Sequence, residues 1–242
     1  MSNLPFPLFH GTSLLFLDSI KHNGLIGAAT QKFKPLEFLN QTYILSNDNS
    51  VIANSKEWNL LGQNGLANKE KIVQVIHQSE RHYQHKDLYL TTSKGKAGGY
   101  AKNSGGELLQ TCFHMIQLFE KYSITIPENI LVEFDEIINL NNSKHEPIVL
   151  EVYDLPLKKL KSGEKGEPIL EQFKEIAEHQ IRWAQKSREV KDFDTIIEFL
   201  DKETSVEKVL ALIKEYYDDD FYPELNFRIE GDIPWEFIRE VL

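Results

Sequence analysis

The feature that most constrains the fold is the order in which two kinds of segment follow each other along the chain. Short apolar runs rich in β-branched or aromatic residues occur at 7–10, 87–92, 130–134, 148–153 and 225–229, and such runs read as strands. Long polar stretches separate them, with apolar residues at helical spacing. Ile72, Val73, Val75 and Ile76 form one such stripe, and the pieces 107–122, 169–183 and 206–217 carry others. Strands this far apart, at both ends and in the middle, predict an α+β fold rather than a doubly wound parallel sheet. With 242 residues and 41% hydrophobic content, the chain is long enough for a single domain, 1–242, with large helical insertions at about 31–86 and 154–220.

The first strand ends at His10, and Leu14, Leu17 and Ile20 then repeat at helical spacing. Thr12 or Ser13 supplies the oxygen that caps this helix, predicted over 14–23, and Gly24 suits the left-handed position that follows its last turn. The strand at 87–92 leads into a glycine-rich segment holding Gly95, Gly98, Gly99, Gly105 and Gly106. Their spacing is not the G-x-G-x-x-G of a Rossmann turn, and no P-loop pattern occurs. A dinucleotide would have to bind by another geometry. The last residues predict a turn after 229 and a short helix started by Pro234.

Other features limit the chemistry. The single cysteine, Cys112, rules out an internal disulfide and a cysteine-built zinc site, and reads as a small buried hydrophobe. No run approaches the length of a membrane span and no signal peptide is evident, so residence in the cytoplasm is expected. A formal charge of −10 makes the chain a poor general binder of nucleic acid. Lys158, Lys159, Lys161 and Lys165, beside Gly163 and Gly166, read as a solvated loop after a strand. His77, His82 and His85, with Arg81 and Lys86, lack the spacing of a metal site. Asp218, Asp219 and Asp220 read as an acidic turn ending a helix. No metal is expected.

Three islands of sequence, taken in order, resemble ADP-ribosyltransferases of the poly(ADP-ribose) polymerase and diphtheria-toxin type, which carry a His-Tyr-Glu constellation. His10-Gly11-Thr12, with its following helix and Gly24-Leu25, is similar to the first motif; Tyr89-Leu90-Thr91 through Tyr100 to the second; Glu224-Leu225-Asn226-Phe227-Arg228-Ile229 with Ile233 to the third. Tyr100 follows Tyr89 by 11 residues and Ile233 follows Glu224 by nine, the spacings seen in that family. The resemblance implies a split β-sheet core that binds NAD as a substrate. It implies that His10 donates a hydrogen bond to the adenosine ribose and that the Gly11 backbone holds the nicotinamide carboxamide. Tyr89 and Tyr100 would flank the pyridine ring, with Thr12 beside them and Thr91 or Ser93 bonding the carboxamide.

Glu224, preferred over Glu230, would bond the 2′-hydroxyl of the nicotinamide ribose as the glycosidic bond loosens. Catalysis by Glu224, His10 and Tyr89 would then transfer one ADP-ribose to a protein or nucleic acid, as in a toxin, a delivered effector or a defence enzyme. Two alternatives share the motif: an RNA 2′-phosphotransferase, and a module that binds NAD or ADP-ribose without chemistry. The former family carries additional arginines and a second histidine, whereas no arginine stands between Tyr89 and Lys102. The gap of 79 residues from His10 to Tyr89 departs from the family's shorter one, and the resemblance is silent on the acceptor.

Overall fold

Residues 3–27, 34–59, 68–81, 87–102, 107–187, 190–218 and 223–241 are described by a computed structural model of the chain. Its frame is an antiparallel sheet built from β1 (Leu8–Ser13), β2 (Leu88–Thr91), β3 (Pro147–Val152), β4 (Leu160–Gly163), β5 (Asn226–Ile229) and β6 (Ile238–Val241). The six strands lie in the order β4-β5-β2-β1-β3-β6. Each neighbour pair is antiparallel, so the α+β expectation holds.

Alternation along the strands gives the sheet two unlike faces. Leu8, Leu88, Leu90, Leu150, Val152, Leu160, Phe227, Ile229 and Ile238 are buried in one core. Covering them are the helices α10 (Ile169–Ser187), α11 (Phe193–Lys202) and α12 (Val206–Glu215), which contribute Phe173, Ile176, Ile181, Leu200, Val209 and Ile213. Each such side chain contributes roughly 1.5–3 kcal/mol on leaving water. The opposite face carries Phe9, Gly11, Tyr89, Thr91, Asn226 and Arg228, and the directly opposed pairs Phe9↔Thr91, Tyr89↔Arg228 and Thr91↔Asn226 fix that assignment.

The predicted glycine-rich segment folds as helix α6 (Lys94–Ala101). Ser93 caps it by accepting a hydrogen bond from Lys96 N, and it lies across β1. A Cβ on Gly11 would come within 1.8 Å of the Ala97 carbonyl oxygen, so glycine is required there for helix and strand to meet. The close contact offsets the poor helix propensity of Gly95, Gly98 and Gly99.

After β1 the chain turns through a 3₁₀ segment, Leu14–Phe16, before α1 (Leu17–Asn23), so the helix predicted over 14–23 divides in two. Ser13 rather than Thr12 is the capping residue, accepting from Leu15 N. Gly24 has φ of 80° and its Cα abuts Ile233, whose carbonyl oxygen a Cβ would approach to 2.3 Å. Leu25 and Ile233 exchange two backbone hydrogen bonds of 2.8 and 2.9 Å.

A second core is built mainly from helices. It joins α2 (Pro35–Asp48), α3 (Ser50–Ala53), α4 (Lys56–Asn59) and α5 (Lys69–Arg81) to α7 (Glu107–Lys121), α8 (Glu128–Glu133) and α9 (Asp135–Asn141). Phe38, Leu39, Trp58, Ile72, Cys112, Met115, Phe119, Phe134 and Ile137 are buried there. Ile72 and Val75 are buried as predicted, whereas Val73 and Ile76 are partly exposed. Burial pushes the Cys112 thiol well above its ordinary pKa, the environment of an inert thiol.

Several expectations are corrected. Residues 130–134 are not a strand: Ile130, Phe134 and Ile137 are buried while Val132 is 70% exposed, the pattern of a helix face rather than of alternation. The stretch 154–220 is not wholly helical, because β4 lies within it. Lys158 and Lys159 belong to a 3₁₀ turn, Leu157–Lys159, and Lys161 to β4 at the sheet edge, so the lysine run is no simple loop. Charged residues on an edge strand discourage pairing with other chains. After the Pro234-capped 3₁₀ turn, Trp235–Phe237, the chain adds β6, which the sequence reading did not include. His82, His85 and Lys86, Gly105 and Gly106, and Asp219 and Asp220 lie outside the described residues.

Candidate functional site

The site expected from the sequence centres on a local failure of strand pairing. β1 runs beside β3 over its whole length, from Leu8↔Val152 to Ser13↔Pro147, yet it pairs with β2 only at Phe9↔Thr91. Beyond that pair the strands diverge, and the ring of His10 bridges the gap, its Nδ1 lying 3.1 Å from the Tyr89 carbonyl oxygen. A carbonyl only accepts, so Nδ1 carries the proton. Burial lowers the His10 pKa, against a smaller opposing effect of that hydrogen bond. The ring is therefore neutral near pH 7 and its Nε2 presents a lone pair. Nε2 is thus an acceptor, whereas the resemblance implies a donor at this histidine.

Tyr89 is partly buried on β2, and its side chain shares a sheet face with Thr91 and with Arg228 of β5. Burial raises its pKa; Arg228 opposes the rise, while Asp87 and Glu164 add to it. The phenol stays neutral across the physiological range. Arg228 is held by Asp87 through Nε at 2.8 Å and through a second guanidinium contact. Lys161 Nζ lies 3.6 Å from the other Asp87 oxygen. Both partners of the Arg228–Asp87 pair are about 15% exposed.

Tyr100, from α6, is 44% exposed and its hydroxyl accepts a hydrogen bond of 3.3 Å from Asn226 Nδ2. The same nitrogen donates to Glu164 Oε2 at 2.6 Å. Asn226 is 7% exposed and its Oδ1 is buried with no hydrogen-bond partner among the described residues. Neither Asn226 nor Glu164 was singled out from the sequence. Asn226 had a signal, the strand parity it shares with Arg228; Glu164 had none, sitting in a turn among lysines and glycines.

The remaining expected residues are placed as follows. Thr12 is buried beside the gap. Thr91 is buried and accepts a 3.3 Å hydrogen bond from Ser93 N, and Ser93 caps α6. Gly11 faces the backbone of α6, so the close approach that demands glycine is made by the helix. Glu224 lies exposed, just before β5, and its backbone oxygen accepts from Lys96 Nζ at 3.2 Å. Glu230 is exposed beyond the far end of β5. Tyr89, Tyr100 and Asn226 thus share one face of the sheet, His10 projects from the other, on the side of Leu8 and Leu150, and meets Tyr89 only at its backbone, while the two candidate glutamates stand at opposite ends of β5.

A concavity of about 800 Å³ lies elsewhere, lined by Phe6, Phe9, Glu151, Tyr153, Tyr217 and Arg239 among others. Of the expected cofactor contacts only Ser93 reaches its wall. Among the described residues no group of three or more His, Cys, Asp or Glu side chains could hold a metal ion, and no helix is long and apolar enough to cross a membrane. No protein-family model, curated protein or solved structure matches the chain.

Proposed function

We propose that the chain is a mono-ADP-ribosyltransferase that consumes NAD, cleaving the bond between nicotinamide and ribose and passing ADP-ribose to a protein or nucleic acid. The observation that carries the reading is the parted β1–β2 junction. His10 spans it, bound to the very residue, Tyr89, that the motif pairs with it. A second motif pair is also in contact, Gly24-Leu25 with Ile233. Both are contacts between islands far apart in sequence.

The chemistry needs little from the protein. A pyridinium leaves readily once C1′ of the ribose can carry positive charge, so the protein must clamp the ring, bond the ribose hydroxyls and admit a nucleophile. Tyr89 and Tyr100 offer aromatic surface for a cationic ring, neutral His10 offers an acceptor for a hydroxyl, and α6 walls one side. Function in the cytoplasm, native or after delivery as an effector, is part of the proposal.

Labelled NAD incubated with the protein and a whole-cell lysate tests it. Label is expected to enter protein or nucleic acid, and His10→Ala to abolish this; no transfer and no nicotinamide release by the unaltered chain refutes it. One observation favours a second reading, binding of NAD or ADP-ribose without turnover: Glu224 and Glu230 are both exposed, and the buried polar residue of β5 is an asparagine. In that case the ligand binds and no nicotinamide appears.

A further inference from the structure

We propose that Glu164, rather than Glu224, supplies the carboxylate to the nucleotide site, with Asn226 holding it there and offering its own Oδ1 to the bound nucleoside. This rests on the reading above. Three observations carry it.

The first is an orphan. Asn226 spends its amide nitrogen on Glu164 and Tyr100 and leaves Oδ1 buried without a donor among the described residues. A buried acceptor left unsatisfied is costly because its desolvation goes uncompensated, so a ligand hydroxyl or carboxamide N–H placed there would be bound at little further desolvation cost.

The second is register. Gly163 opposes Phe227 across the β4–β5 pair, so Glu164, one residue on, falls beside Asn226. The turn that carries it is held by its own hydrogen bonds: Gly166 N donates to Gly163 O at 3.1 Å, Gly163 N to Glu167 O at 2.9 Å, and Lys165 N to Glu167 Oε2 at 2.8 Å. The carboxylate is half-buried, with one oxygen engaged by Asn226. Asn226 joins it to the Tyr100 hydroxyl, and Tyr89 lies on the same sheet face.

The third is the position of the alternative. The Glu224 side chain is exposed before β5, and what that residue gives the site is a backbone oxygen for Lys96.

The role follows from charge development. As the C1′–N bond breaks, its electron pair departs on the nicotinamide nitrogen and positive charge grows on the ribose. Glu164, accepting from the adjacent hydroxyl, opposes that charge. The acceptor's lone pair makes the new bond to C1′, and its proton passes to the Glu164 carboxylate and on to water.

The test is nicotinamide release from NAD by the unaltered chain, Glu164→Gln and Glu224→Gln, with NAD affinity measured calorimetrically and melting temperature checked for each. Loss of a group that acts on developing charge costs about 100- to 1,000-fold in rate. Glu164→Gln is expected to show that loss with little change in NAD affinity or melting temperature, and Glu224→Gln to stay within about threefold. Near-normal release by Glu164→Gln, or an equal fall for Glu224→Gln, overturns the assignment and leaves the NAD reading standing. An unaltered chain that binds NAD and releases nothing overturns the carboxylate's role. One that neither binds nor cleaves NAD overturns the underlying reading, and this inference with it.

Discussion

Replacing Gly11 by alanine tests the contact on which the geometry of the site depends. The added Cβ would lie 1.8 Å from Ala97 O, 2.7 Å from Ala101 N and 2.8 Å from Ala97 C. Ordinary contact begins at 3.4 Å, so the Ala97 carbonyl would have to retreat by about 1.6 Å. The obstructing atoms are backbone, which no rotamer change can move aside. Ala97 and Ala101 are buried, at 0% and 3% exposed, and lifting α6 uncovers both. Overpacking of this kind costs typically 1–3 kcal/mol, and the rigidity on both sides puts Gly11→Ala near the upper end.

For a chain of this size each kcal/mol shifts the melting temperature by about 2–4 °C, so a fall of about 6–12 °C is expected. Gly99, in the same helix, has nothing within 4 Å of its would-be Cβ. There alanine should instead raise stability by up to about 1 kcal/mol through helix propensity. Thermal unfolding followed by circular dichroism compares the two. A Gly11→Ala chain melting within about 2 °C of the unaltered one would show that α6 does not press on β1. Tyr100 would then lose the support that directs it toward Asn226.

Three further outcomes are expected. The His10 pKa is depressed in the folded chain, so the unfolded chain binds the proton more readily. Its contribution to stability is present above about pH 6.5 and is lost as pH falls through the folded value; urea unfolding between pH 7.5 and 5 should therefore show a steeper acid loss in the unaltered chain than in His10→Gln, and equal slopes would count against a buried neutral ring. In α8, Val132→Asp should change stability by less than about 0.5 kcal/mol, whereas Phe134→Ala should cost about 3–5 kcal/mol; similar effects for both, read from urea midpoints, would restore the strand reading of 130–134. Arg228→Leu leaves the Asp87 carboxylate, among the described residues, with Lys161 at 3.6 Å in place of its close guanidinium partner, a loss of about 3 kcal/mol by analogy with broken buried pairs, and an unchanged urea midpoint would refute that reading of the pair.

The segments that the sequence disclosed well were those whose pattern and propensity agree. The cores of β1, β2, β3 and β5 combine apolar or β-branched residues with short length, and α7, α10 and α12 carry plain amphipathic stripes. The errors fall where tertiary contact overrides local preference. Gly95, Gly98 and Gly99 argue against a helix, yet α6 forms because small residues let it settle onto Gly11. Ile130, Val132 and Phe134 satisfy alternation, Ile130 and Phe134 satisfy helical spacing too, and Ile137, one turn further on, decides for the helix. β4 hides behind Lys161 and Ser162, since an edge strand needs little apolar surface. For the candidate site, motif spacing singles out His10, Tyr89 and Tyr100, whereas the Asn226–Glu164 contact joins residues 62 apart and has no local signature.

The sheet order has a consequence for the newborn chain. β2 is finished at Thr91, but its partner β5 begins only at Asn226, 135 residues later. At about 5–20 residues per second of synthesis, one edge of β2 waits roughly 7–27 s for its partner. β1 and β3 can pair in that interval, while the row of amides and carbonyls on β2 stays open to any other strand. A ribosome-bound chaperone, or slow release in its absence, should therefore matter more to the yield of this protein than its final stability does.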